Sequence, residues 1–287
     1  MTAVLKHELR LYFHSLTAYV FGAFLLVAVG IGAMLYNLQA AVSNFEYVLS
    51  FSSLVFAVIV PVLTMRVLAE ERKQKTDQLL YSLPISTTQV VLGKYLALLT
   101  VYLVPLCIIA FYPLIFSRYG EVYLLTSYGS LLAFFAVGAA LIAVGVFISS
   151  LTENQGFAAG IGIAVILLNY FSVSLAEYTS STAMGSSIAL MVLSGLLGLL
   201  IKHLTRSENL GYGTGLALMA VTTVCYFVDD SKFEGLVPDI MKKLSLFDRL
   251  ETFVNGVFDV TALVYFASVI VFFLFLSVQS LEKRRYN

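Results

Sequence analysis

The sequence predicts an all-α integral membrane protein, a polytopic helical bundle of about eight transmembrane helices with both termini in the cytoplasm. Three observations predict it. The 287 residues are 60% hydrophobic and only 12% charged, with a mean hydropathy of +0.92, against roughly 45–50% apolar and 25% charged in soluble domains. The apolar residues come in repeated runs of about 18–28 between short polar breaks, long enough for helices to cross a bilayer. Finally, Lys and Arg concentrate on alternate breaks, the bias that orients membrane helices.

The expected spans run from Thr17 to Leu38, Leu49 to Leu68, Val91 to Phe116, Tyr123 to Ser150, Gly156 to Tyr178, Met184 to Ile201, Leu210 to Val228 and Val260 to Ser280. The sixth and seventh are separated only by a short break holding Lys202, His203, Arg206 and Glu208, so six or seven spans are the alternatives. With the N-terminus inside, Lys6, Arg10, Arg66, Arg72, Lys73, Lys75, Lys94, Lys202, Arg206, Lys283, Arg284 and Arg285 fall on the inner side. Only Arg118, Lys232, Lys242, Lys243 and Arg249 fall outside, and the even span count returns the basic tail to the same side.

Three amphipathic segments accompany the spans. In residues 1–16, Val4, Leu5, Leu9, Tyr12, Phe13 and Leu16 share a helical face, with Lys6, His7, Arg10 and His14 opposite and Glu8 at the border. Such a helix is expected to lie in the inner interface. Residues 69–90 form the longest inner loop: Glu70-Glu71-Arg72-Lys73-Gln74-Lys75 continues a helix out of the membrane, Leu79-Leu80 gives it an apolar patch, and Pro84 ends it. Ser86 followed by Gln89 reads as a capping box opening the third span. Outside, residues 229–258 repeat Phe233, Leu236, Val237, Ile240, Met241 and Leu244 at helical spacing, then Leu246, Phe247, Leu250, Phe253, Val254 and Val257 beyond a break near Ser245. Helices on or dipping into the outer surface are expected there.

Several chemistries are excluded. Net charge is zero, with 17 basic and 17 acidic side chains and no broad basic patch, which argues against a nucleic-acid partner. Gly93-Lys94 is followed by Tyr95, with Thr88 where a P-loop needs its upstream glycine, so no ATP site is expected in this chain. His7-Glu8-Leu9-Arg10-Leu11 lacks the second histidine of a zinc protease, and no Gly-x-Ser-x-Gly elbow occurs. The aspartates fall in loops or at span ends, which disfavours an intramembrane aspartyl protease. No catalytic residue, resident cofactor or metal is expected. Asn169 and Glu177 read as interhelical and span-end polar groups, and Cys107 and Cys225 as small hydrophobes. Gly156/Gly160, Gly211/Gly215 and Gly195/Gly198 read as packing glycines.

The inner loop is where the chain becomes recognisable. Glu70-Glu71-Arg72-Lys73, Thr76-Asp77-Gln78-Leu79-Leu80, Leu83-Pro84-Ile85-Ser86 and Val91-Leu92-Gly93-Lys94 resemble the series in ABC-2 type transporter permeases. Lys6 to Leu9, the segment Phe253 to Asp259 and the ending Glu282-Lys283-Arg284-Arg285 look like the gliding-motility branch of that family. The middle spans match in character alone. One departure is that the glycine usual before the threonine is Lys75 here.

The resemblance implies a single transmembrane domain over 1–287 that exports a substrate across the bacterial cytoplasmic membrane. Its loop would be a coupling helix docking on a separate ABC ATP-binding subunit through Glu70, Glu71, Arg72, Thr76, Asp77, Leu79, Leu80 and Pro84. Lys6, Glu8 and Arg10 would hold the interfacial helix. ATP and Mg would be bound by two copies of the partner subunit. A second permease copy or a related permease, and a large extracytoplasmic auxiliary subunit, are the further candidate partners beside the lipid bilayer. The rival reading is a non-transporting membrane scaffold that recruits a cytoplasmic ATPase through the same loop.

Overall fold

A computed structural model describes residues 1–75, 85–205 and 208–285. The described residues are helical almost throughout, with no strand among them. In chain order the helices are α1 (Thr2–His14), α2 (Leu16–Gly32), α3 (Glu46–Thr64), α4 (Ala69–Lys73), α5 (Thr87–Ile109), α6 (Tyr112–Phe116) and α7 (Leu124–Leu151). There follow α8 (Gln155–Tyr178), α9 (Ala183–Thr205), α10 (Glu208–Val228), α11 (Leu236–Leu244), α12 (Leu246–Val254) and α13 (Val260–Arg285). A wider-wound π segment, Ala33–Gln39, continues α2, and a 3₁₀ turn, Asp230–Phe233, precedes α11.

Among the described residues, six segments are long and apolar enough to cross a membrane: Leu16–Gln39, Glu46–Lys73, Thr87–Phe116, Leu124–Leu151, Gln155–Tyr178 and Val260–Lys283. The chain is a polytopic helical membrane protein. Where the sixth and seventh spans are expected lie the helices α9 and α10, whose described apolar stretches, Ala183–Leu199 and Tyr212–Val228, are shorter.

The chain divides into two compact units, residues 1–170 with 249–287, and residues 171–248. In the larger unit α7 is the central element: α3, α5 and α13 all pack on it. It can be central because its surface is small where large side chains arrive. A β-carbon at Gly138 would stand 2.4 Å from Tyr102 Cε1 and 2.7 Å from Phe56 Cζ, and one at Gly145 would stand 2.1 Å from Thr64 Oγ1. Phe56 stacks on Tyr102 at 5.1 Å and meets Phe134 at 4.9 Å, and the buried Tyr102 hydroxyl donates to the Phe134 carbonyl at 2.8 Å. An aromatic ring with a polar tip is buried cheaply only when that tip finds such a partner. The opposite faces of α2 and α13 stay apolar and exposed, as at Phe24, Val27, Val271 and Phe275, which suits helices facing lipid.

The second span begins earlier than its sequence pattern indicates. Glu46, expected outside, is the first residue of α3 and only 1% exposed. It accepts a hydrogen bond from Ser127 Oγ at 2.9 Å, and a carboxylate at a helix N-terminus is favoured by the macrodipole. The amphipathic segment 229–258 forms α11 and α12, broken at Ser245 as its pattern predicts; Ser245 Oγ accepts from Asp248 N at 3.2 Å and caps α12. Leu250, Phe253 and Val254 are buried, and Ser130 Oγ donates to the Phe253 carbonyl at 3.0 Å while Ser50 Oγ donates to Glu251. Asp259 Oδ1 accepts from Thr261 N at 2.8 Å and caps α13.

In the smaller unit α9 and α10 pack as a hairpin, with a β-carbon at Gly215 only 3.2 Å from Gly198 Cα. Gly195 and Gly198 thus pack as the sequence indicates. Gly160 does not, since nothing lies within 4 Å of its missing β-carbon. The two positions give opposite expectations. Gly138→Ala lowers stability by about 1–3 kcal/mol through overpacking, whereas Gly160→Ala is neutral or slightly stabilising, read from thermal unfolding of the purified protein in detergent.

Candidate functional site

After α3 the regular helical hydrogen-bond ladder is interrupted. The chain turns over Met65–Leu68 before the short α4, and Ser149, at the end of α7, satisfies that turn. Its hydroxyl donates to the Met65 carbonyl at 3.1 Å and accepts from the Leu68 and Ala69 amides, each at 3.1 Å. One buried serine therefore replaces the interrupted helical ladder at three groups. α4 places Glu70 and Glu71 in its first turn and Arg72 and Lys73 in its last, the order the helix macrodipole favours.

Two ionic arrangements hold the turn and α4. Arg66 binds Glu70 with both ends of its fork, Nε to Oε2 at 2.8 Å and Nη2 to Oε1 at 3.0 Å, while Nη1 donates to Thr17 Oγ1 at 3.1 Å. This pair is 39% and 30% exposed, so its main effect is orientation. The second arrangement is buried. Lys94 Nζ, on α5, donates to Glu8 Oε1 of α1 at 2.6 Å and to Glu71 Oε1 of α4 at 2.7 Å. The lysine side chain is only 2% exposed. Removing one member of such a buried set leaves uncompensated charge and costs roughly 3–5 kcal/mol.

α1 turns one stripe, Val4, Glu8 and Tyr12, toward α5 and the turn. Burial, with Glu8 nearby, holds the Tyr12 hydroxyl well above its ordinary titration range, so it stays neutral. Beside these residues opens a groove of about 710 Å³, whose walls include His7, Tyr12, Arg66 and Gln74. At the same end of the unit, Thr87 Oγ1 donates to Glu282 Oε1 at 2.8 Å and Ser280 Oγ donates to the Ser150 carbonyl at 3.1 Å.

The expected site residues divide accordingly. Glu70, Glu71 and Arg72 lie on α4, and Arg72 is buried. Thr76, Asp77, Leu79, Leu80 and Pro84 lie outside the described residues. Lys6 and Arg10 are exposed on α1. Glu8 departs from its expected border position: it is 5% exposed, because the stripe of α1 that meets α5 is the one carrying it and Lys94 balances its charge. Lys94 and Ser149 are the residues that sequence reasoning missed. A lysine two turns inside an apolar helix was the available signal for the first, and a serine pair ending an apolar run for the second. The N-cap was legible: Ser86 Oγ accepts from Gln89 N at 3.2 Å.

Lys75 bears on the departure noted above. Its φ is +57°, a left-handed conformation that glycine adopts freely and a side chain adopts at a cost.

The family model described as an ABC-2 family transporter protein matches residues 31–228, more than half of the chain and including the whole inner loop. The chain belongs to the ABC-2 transporter family. It is a transmembrane permease component of an ABC transporter, a multi-pass membrane protein that works with an ABC ATP-binding subunit. No curated protein and no solved structure matches it.

Two outcomes follow for this permease. Ser149→Ala leaves the Met65–Leu68 turn without its partner and lowers stability by about 1–3 kcal/mol. Lys75→Gly raises it by up to about 1 kcal/mol while Lys75→Val lowers it, both measured as shifts in the unfolding midpoint.

Proposed function

We propose that the permease couples ATP hydrolysis on the separate ABC subunit to substrate export, and that residues 69–90 are the segment docking on that subunit. The observation that carries this reading is the anchoring of the segment's two ends. On one side the Met65–Leu68 turn is fixed by Ser149, and Glu71 by Lys94. On the other, Ser86 caps α5 and Thr87 is tied to Glu282. A segment mounted on stiff supports passes displacement into the spans instead of absorbing it. Leu79 and Leu80 supply the apolar anchor and Glu70, Glu71, Thr76 and Asp77 the polar rim, the usual anatomy of a protein interface, with Pro84 ending the segment; Arg72, expected with them, is buried within the permease.

In this reading both termini and the segment face the cytoplasm, since the side carrying α1, α4 and the end of α13 also carries most of the Lys and Arg residues. Lys6 and Arg10 of α1 rest on anionic headgroups. The amphipathic residues 229–258 shape the exit. Two permeases, either two copies or this chain with a relative, pair with two ATP-binding subunits that hold the ATP and Mg. The ends of the chain favour the gliding-motility branch, in which a large extracytoplasmic auxiliary subunit is the further partner.

Leu79→Asp or Leu80→Asp is expected to abolish co-purification of the ATP-binding subunit and permease-stimulated ATP hydrolysis while the permease stays folded. Unchanged assembly in both variants would remove the docking reading. Reconstituted vesicles separate export from scaffolding: a complex that hydrolyses ATP without moving any substrate would favour the scaffold.

A further inference from the structure

The Gly93-Lys94 pair lies where three separate stretches of chain converge. Gly93 lets α1 approach: a β-carbon there would stand 3.0 Å from both Cβ and Cγ1 of Val4 and 3.4 Å from the Met1 carbonyl oxygen. One residue on, Lys94 reaches Glu8, which lies one helical turn beyond Val4 on the same face of α1. The same ammonium holds Glu71, on the helix that leads into the docking segment. We infer that Gly93-Lys94 is a mechanical joint carrying displacement of the docking segment into the interfacial helix, with Lys94 as its positioning residue.

This rests on the docking reading and extends it. The alternative purpose of a buried ion set, stability, is poorly served: apolar side chains of similar volume hold such a site as well or better. What the charges add is geometry. Nζ at 2.6 and 2.7 Å from two carboxylates on different helices fixes both distances at once, whereas packed methylenes can slide. A shift of α4 must then move Glu71, Lys94 and Glu8 together. α1 passes it directly into α2, because only Ser15, in extended conformation, separates them. The first span is thereby driven by the segment that follows the second.

The test uses the full chain reconstituted in lipid vesicles with its ATP-binding subunit. The apolar triple variant Glu8→Leu, Glu71→Leu, Lys94→Met, assayed at saturating ATP-binding subunit because Glu71 belongs to the proposed docking rim, is expected to keep its thermal midpoint while permease-stimulated ATP hydrolysis falls about tenfold, within the usual range of coupling between sites. The charge-reversed triple, Glu8→Lys, Glu71→Lys, Lys94→Glu, is expected to regain most of that stimulation. Gly93→Ile, which keeps every charge and wedges α1 off α5, should lose stimulation as the apolar triple does, and serves where that triple does not fold. Wild-type stimulation in the apolar triple or in Gly93→Ile overturns the joint, as does loss of subunit binding by Gly93→Ile with a native midpoint. Leu79→Asp separates the two readings, since wild-type subunit binding by that variant sinks docking whatever the triples do.

Discussion

A buried lysine with two carboxylates is the constraint on which the charged end of this permease depends. Lys94 is nearly inaccessible, and its partners Glu8 and Glu71 come from helices far apart in sequence. Transferring such charges out of water is unfavourable unless each finds its counter-charge. The three helices are therefore obliged to meet in one arrangement. Apolar packing alone would leave their axial positions loosely set, because sliding one smooth face along another changes little buried area.

The rest of the larger unit is organised to permit that meeting. α7 is the post, and its glycines let Tyr102, Phe56 and Thr64 close around it. At its end Ser149 supplies the hydrogen bonds missing from the turn between α3 and α4, which brings Glu71 to Lys94. At the opposite end polar side chains do the corresponding work, with Ser127 on Glu46, Ser50 on Glu251 and Ser130 on the backbone of α12. Inside an apolar medium each such bond replaces one that water cannot supply. These serines and carboxylates stand near helix ends, where backbone ladders stop.

Much of this was legible beforehand. Apolar runs gave the helices, because burial in hydrocarbon demands about 20 consecutive apolar residues whatever the neighbours are. Ser86 read as a cap and Ser245 as a break because both act within one turn of their own position. The charged series of the inner loop marked the family. Legibility failed where a residue's role depends on a distant partner. Glu46 looked like an outer-loop residue since Ser127 is invisible from its own neighbourhood. Glu8 looked like the edge of an interfacial helix since nothing nearby in sequence announces Lys94.

The sequence by itself thus determined that the chain lives in a membrane, where its helices run, and which loop carries the family's charged series, since all of these follow from composition and from contacts within a turn. Only the tertiary structure decided that α1, α4 and α5 are one ionic unit. That decision rests on hydrogen-bond distances between residues separated by tens of positions, and on a glycine whose missing side chain leaves room for a neighbouring helix. No local pattern encodes such an approach, because it becomes favourable only once the partner helix is in place.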